Sequence, residues 1–167
     1  MLGPPNKLQD DALCFVIHIR ARSVRDRALI VQGRATHFKP RFEYLKRRLT
    51  GKEDFYRRFA DYVFGFGDIE SDHWLGLHFI HVLTYPRKAE LVIRVRDNGK
   101  YYDLFVSGFI VKGGRHFYQM TFDKIERGSL SHEAFERSKS SKFTTRDVDR
   151  DSHVVTTSIL YIVLQVD

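Results

Sequence analysis

The tripeptide Asp97–Asn98–Gly99, set between the β-rich runs Ala89–Arg96 and Tyr101–Val106, constrains this chain most. Asn-Gly between such runs is a strong two-residue hairpin signal, because both residues tolerate positive φ. It commits the middle of the chain to antiparallel pairing. Strand-like runs continue at Phe109–Lys112 and Phe117–Phe122, with Gly113–Gly114 as a second tight turn.

Upstream, the period changes. Thr50 and Glu53 fit a capping box, and Phe55, Phe59, Tyr62 and Val63 then recur at helical spacing. Arg57, Arg58 and Asp61 fall on other faces, which predicts an amphipathic helix of about three turns ending at Gly65–Phe66–Gly67. A second short helix is predicted from about Leu75 to Leu83, before Pro86. Gly128–Lys142 reads as a long polar surface loop. Ala12–Ile19, Ala28–Gln32 and Val154–Val166 read as β-rich runs. The class is α+β, with two short helices followed by a mostly antiparallel sheet.

A length of 167 residues suits one domain, and fourteen Phe with eight Tyr predict a core built from large rings. The net charge of +7 arises within residues 1–48, which hold eleven Lys/Arg against four Asp/Glu. Residues 49–167 hold seventeen of each. Such a basic segment keeps one alternative open: an intracellular protein associating with nucleic acid or an anionic surface through Arg20–Arg48. The aromatic stripe Phe55, Phe59, Tyr62, Phe64, Phe66 and Trp74 beside Arg57 and Arg58 is assigned to core rather than to base stacking, which counts against nucleic acid.

Cys14 is the single cysteine, so no intrachain disulfide can form; taken alone, this favours a reducing compartment. Asp10 and Asp11 interrupt the opening segment, which does not read as a secretory signal. The longest apolar-rich stretch, Val154–Val166, is too short to span a bilayer.

No nucleophile–base pairing or phosphate-cradling glycine loop is found, so the chain is read as non-enzymatic. His78 and His81 share a helical face without the further ligands zinc needs; His81 is expected to pack or hydrogen-bond in the fold, and His78 to face solvent. Asp147, Asp149 and Asp151 would converge in extended backbone and repel unless a hard cation neutralised them. A solvated acidic loop balanced by Arg146 and Arg150 is the competing reading. An EF-hand is excluded, because Ser152 and Ser158 stand where that loop needs Gly and Glu.

The segment Lys46–Thr84 resembles the fibrinogen C-terminal domain family, which includes ficolins, tachylectin-like lectins, angiopoietins and tenascins. The resemblance is carried by Arg47–Arg48, Asp54–Phe55, Arg57, Tyr62, Gly65–Phe66–Gly67, Trp74–Leu75–Gly76, Ile80–His81 and Leu83–Thr84. Phe59 and His73 replace the family's usual Trp and Phe. The likeness continues through Ala89–Arg96, Tyr101–Val111 and Gly128–Ser129–Leu130 to Phe143–Asp151, which is similar to the family's FST-x-D-x-D-x-D run.

The resemblance implies a twisted, mostly antiparallel sheet and a secreted, lectin-like module that recognises a glycan or a protein receptor, as in innate immunity. It implies calcium held by the side chains of Asp149 and Asp151 and the carbonyls of His153 and Val155, with Asp147 in an outer or structural role. It also implies three parts: a divergent basic segment at 1–41, a partial family domain at 42–155 and an unrelated β-rich tail at 156–167. The family's opening CDM…GGGWT strands and its closing GAWWY-like segment find no counterpart. The expectation is therefore a domain truncated before the ligand-binding subdomain, with ligand binding lost, an inert fragment or an imprecise gene model among the readings.

Overall fold

The computed structural model describes residues 14–20 and 43–148, and an eight-stranded sheet forms its frame. The strands are β1 (Cys14–Arg20), β2 (Glu43–Arg48), β3 (Phe66–Gly67), β4 (His73–Trp74), β5 (Ala89–Asp97), β6 (Lys100–Val111), β7 (Met120–Thr121) and β8 (Lys124–Gly128). The helices are α1 (Phe59–Phe64), α2 (Leu77–Thr84) and α3 (His132–Glu136), with a 3-10 turn at Gly114–His116. The order is β3-β4-β2-β1-β5-β6-β7, with β8 also on β6, and every pairing is antiparallel. The α+β class and the antiparallel sheet stand as the sequence implied.

The hairpin forms where Asn-Gly demands it. Asp97 pairs with Lys100, and Asn98 and Gly99 take φ of 46° and 75°. Its second strand differs from expectation: the runs Tyr101–Val106 and Phe109–Lys112 are one strand, β6. Gly108 joins them at φ +70°, where the strand changes partner from β8 at Leu104–Ser107 to β7 at Ile110–Val111. A Cβ on Gly108 would lie 2.1 Å from a carboxylate oxygen of Asp123, so glycine is what lets the turn after β7 close on β6.

Strand β1, which falls within the segment 1–41, is paired on both sides. It lies inside the sheet, with Ile17 opposite Lys46 of β2 and Ile93 of β5. Ile17 and Ile19 alternate into the core at 2% and 0% exposure, while Arg20 points to solvent and pairs with Glu90. The β-rich run read at Ala12–Ile19 thus forms a strand, although its sequence shows no clean period-2 alternation. The run Ala28–Gln32 lies outside the described residues.

The first helix is also shorter than predicted and starts later. Thr50 and Glu53 do not cap it. The carboxylate of Asp72 draws the chain at 49–53 into a loop around itself, and the helix begins at Phe59. At the other end, the Cβ that Gly65 lacks would lie 2.4 Å from the Leu75 carbonyl, so α1 ends in backbone contact with the approach to α2.

Helix α2 locks to the sheet through two side chains one turn apart. His81 Nδ1 donates to the Val111 carbonyl at 2.8 Å, and Thr84 Oγ1 accepts from the Val111 amide at 3.0 Å. Both backbone groups at the end of β6 are thus satisfied from one helix face, which gives Ile80–His81 and Leu83–Thr84 a physical meaning. His81 is used in the fold and His78 is exposed, as expected.

Two further expectations are corrected. Gly128–Lys142 is not wholly loop: Ser131 caps α3 by accepting from the Ala134 amide, and fully buried Phe135 packs on Phe122 at 5.0 Å. Five helical residues are too few for periodicity to show. The expected strand Phe117–Phe122 is reduced to Met120–Thr121, because Phe117 and Tyr118 adopt left-handed φ of 54° and 51°. Two successive non-glycine residues there are strained, and surrounding packing must hold them.

Candidate functional site

The candidate site is the point where the chain enters the acidic run, Phe143–Val148, together with the surface on which that segment rests. Its floor is aromatic. The Phe143 ring stacks on Trp74 at 6.0 Å and tilts against Tyr62 at 5.2 Å and Phe59 at 6.4 Å. Tyr118 closes the other flank against Phe59 at 6.2 Å. The polar edges of these rings are satisfied: Trp74 Nε1 donates to the Tyr62 carbonyl, and Tyr62 Oη donates to the Phe55 carbonyl, each at 2.7 Å. Each such ring pair adds about 0.5–1.5 kcal/mol beyond area burial, so this floor resists rearrangement.

The strained turn has a purpose here. Left-handed φ at Phe117 and Tyr118 points the Tyr118 ring inward and leaves the Phe117 carbonyl to accept the Phe143 amide at 3.1 Å. Thr144 and Thr145 are then buried, and Thr145 and Val148 exchange both backbone hydrogen bonds at 3.0 Å.

Asp147 sits at the tip of that turn. One of its carboxylate oxygens accepts from the Phe59 amide at 2.9 Å and from Thr145 Oγ1 at 2.8 Å. The Phe59 amide opens helix α1, so the helix is capped by a residue 88 positions away. Arg58 at the N-cap position has no acceptor in its side chain; the local contribution is Asp61, whose carboxylate accepts from the Arg58 amide at 3.1 Å. Desolvation works to raise the Asp147 pKa, but the bonds from Thr145 and Phe59 and the nearby Arg58 charge outweigh it and hold the pKa below the ordinary value. Arg146 stacks over Tyr56 at 4.4 Å and Lys142 lies over Phe117 at 5.4 Å, so cations rim the segment.

The second anchored carboxylate is Asp72. It accepts from the amides of Leu49, Thr50, Lys52 and Glu53 and from Thr50 Oγ1, at 2.6 to 3.4 Å. Burial alone would raise its pKa; the bonds from Thr50, Leu49 and Glu53 reverse that and lower it to about 2. Its carboxylate is committed to structure.

The expected calcium ligands Asp149, Asp151, His153 and Val155 lie outside the described residues. Asp147, just before them, is bonded to Phe59 and Thr145. Among the described residues no group of three or more His, Cys, Asp or Glu side chains is gathered to hold a metal ion. Nor is any described helix long and apolar enough to cross a membrane. Sequence reasoning missed the grip of Asp72 and the partner of Asp147; the spacing of the acidic run singled out Asp147 alone.

Comparison with known proteins agrees with this geometry. Residues 27–162 match the model of the C-terminal globular domain of fibrinogen beta and gamma chains, a range wider than 42–155 at both ends. Tenascin-R of Mus musculus is 32% identical over 119 residues, covering 70% of this chain and 8% of that protein. Ficolin-3 of Homo sapiens is 33% identical over 108 residues, covering 64% of this chain and 36% of that protein. The chain thus spans well under half the length of either relative. Among solved structures, the fibrinogen-like globe domain of human ANGPTL2 superposes with a TM-score of 0.64 at 25% identity, covering 76% of this chain and 58% of that one. The overall fold therefore belongs to a known architecture, and this chain is a member of the fibrinogen C-terminal globular domain family.

Proposed function

We propose that the chain serves as a non-enzymatic extracellular recognition module of the fibrinogen-related type, binding a glycan or a protein receptor, with calcium bracing its acidic loop. The observation that carries this reading is the docked segment Phe143–Val148, in which Asp147 and the aromatic floor hold the entrance to the acidic run in one shape. Similarity to tenascin-R and ficolin-3 supports an extracellular setting and a binding role.

The donor chemistry suits calcium, which takes six to eight oxygens from carboxylates, carbonyls and water. Asp149 and Asp151 would supply carboxylates, and His153 and Val155 backbone carbonyls; the run offers no sulfur. Bound there, the ion would neutralise the run and tie it together. Asp147 contributes by position, since its carboxylate already serves Phe59 and Thr145.

Calorimetric titration with calcium, paired with thermal melts and retention on an immobilised glycan array, tests the reading. Calcium in the millimolar range should raise the melting temperature, since a ligand of the native state alone stabilises it. Glycan retention should fall when calcium is chelated. Absence of both heat and melting shift removes calcium from the reading, and retention indifferent to chelation removes its link to recognition.

A further inference from the structure

We infer that Lys142 and Arg146, held in place by the rings of Phe117 and Tyr56, form a binding surface for a sulfated polysaccharide. The inference rests on the glycan half of the reading above, narrows it to one chemistry, and owes nothing to calcium. Every residue it uses lies among the described ones.

Much of the described surface pairs its cations with carboxylates, as in Lys88–Asp123, Arg94–Asp103 and Lys124–Glu126. Lys142 and Arg146 differ. Both are exposed, and among the described residues neither makes an ion pair. Each lies over an exposed ring instead: Lys142 over Phe117 at 5.4 Å, and Arg146 over Tyr56 at 4.4 Å. A ring attracts a cation and fixes its place without neutralising its charge. Arg115 and His116, just before Phe117 on the 3-10 turn, are exposed and form no ion pair among the described residues. The carboxylate within the segment, Asp147, is spent on the Phe59 amide and the Thr145 hydroxyl, with the Arg58 charge beside it.

Lys142 stands at one end of the docked segment and Arg146 near the other, with Thr144 and Thr145 buried between them. The fold therefore sets the spacing of the two charges, and a chain of repeated anions can meet both at once. Sulfate offers oxygens that an arginine fork can take through two N–H donors, as it takes phosphate. Nucleic acid would add bases stacked on open aromatic faces. Here the cations lie over those rings, which favours the polysaccharide.

Salt elution of the full chain from immobilised heparin, desulfated heparin and duplex DNA tests this. The unmodified chain should be held by heparin, less by the other two, and released as salt screens the contacts. K142A and R146A should each weaken heparin binding about fivefold, the usual worth of one cation at an anionic surface. Both side chains are exposed, so the melting temperature should stay that of the parent, and K100A on the β5–β6 hairpin should bind heparin unchanged. Y56A should weaken binding about two- to tenfold, because a freed arginine must be ordered on contact.

Heparin affinity unaltered in the K142A/R146A double variant would overturn the inference and place binding in the basic residues 1–48. Y56A as tight as the parent would also sink it, since the ring would then not fix the cation. DNA held as tightly as heparin would replace the sulfated glycan with any polyanion. Equal retention on desulfated heparin removes sulfate but leaves glycan recognition standing. No retention on heparin rejects the inference alone, and the glycan array decides the wider reading.

Discussion

Asp72 shows how much a single carboxylate organises here. It gathers four amides and one hydroxyl from a loop about twenty positions upstream, and in doing so cancels the helix start that Thr50 and Glu53 advertise. Its pKa, lowered to about 2, means that it stabilises the fold fully above its unfolded pKa near 4. That contribution fades as pH falls toward 2. Asp72→Asn loses one acceptor oxygen, which serves two or three of the five donors, and should destabilise by about 2 kcal/mol at pH 7. In denaturant titrations the gap between Asn and Asp should narrow as pH approaches 2; a gap independent of pH would deny the carboxylate this role. None of it was legible in the sequence, because the bonds join segments that local spacing cannot connect. Asp147 was legible by half: the run was visible, its partner Phe59 was not.

Elements were legible in proportion to how local their determinants are. The β5–β6 hairpin is written in two adjacent residues and forms as expected. Helix α2 carries its period and a stop before Pro86, and it appears within about two residues of its predicted bounds. Helix α1, by contrast, has a local cap only from Asp61 and takes the cap of its Phe59 amide from Asp147 and its late start from the Asp72 loop, both supplied from a distance. Strand β6 was cut in two by a glycine that serves a tertiary contact. Gly108→Ala should therefore cost more than a helix or strand propensity change. It forces φ +70° on a side chain and drives a Cβ into Asp123, which also pairs with Lys88 at 2.7 Å. The expected loss is about 1–3 kcal/mol with β7 and β8 loosened first, visible as faster exchange of the Asp123 amide. An alanine variant as stable as the parent would mean that the turn has room to shift.

At the scale of the molecule, the sheet makes His18 a pH sensor of folding. Burial, then the Arg94 charge, outweigh the opposing pull of Asp103 and lower its pKa from 6.5 to about 4. Between those values the unfolded chain takes up a proton that the folded one refuses. Stability is therefore complete above pH 6.5 and falls as pH drops toward 4, where both states become charged. Melting temperature should decline over that window, and His18→Gln should flatten the decline; an unchanged slope would place its origin elsewhere. The overall family was legible because its motifs occupy the segments that pack most tightly. The run that becomes β1 was legible as β-rich, but its seat between β2 and β5 was not, because both partners lie far along the chain.

That placement of β1 bears on how the chain is made. The first described strand to leave the ribosome has its seat between two strands translated later, and its seat beside β5 is complete only once Asp97 has followed. At about 5–20 residues per second, the β2 edge of β1 waits a few seconds and its β5 edge on the order of ten seconds. A strand with an open edge can pair with a neighbouring chain, and the positive charge of Arg20 at the end of β1 works against such pairing until β5 is in place.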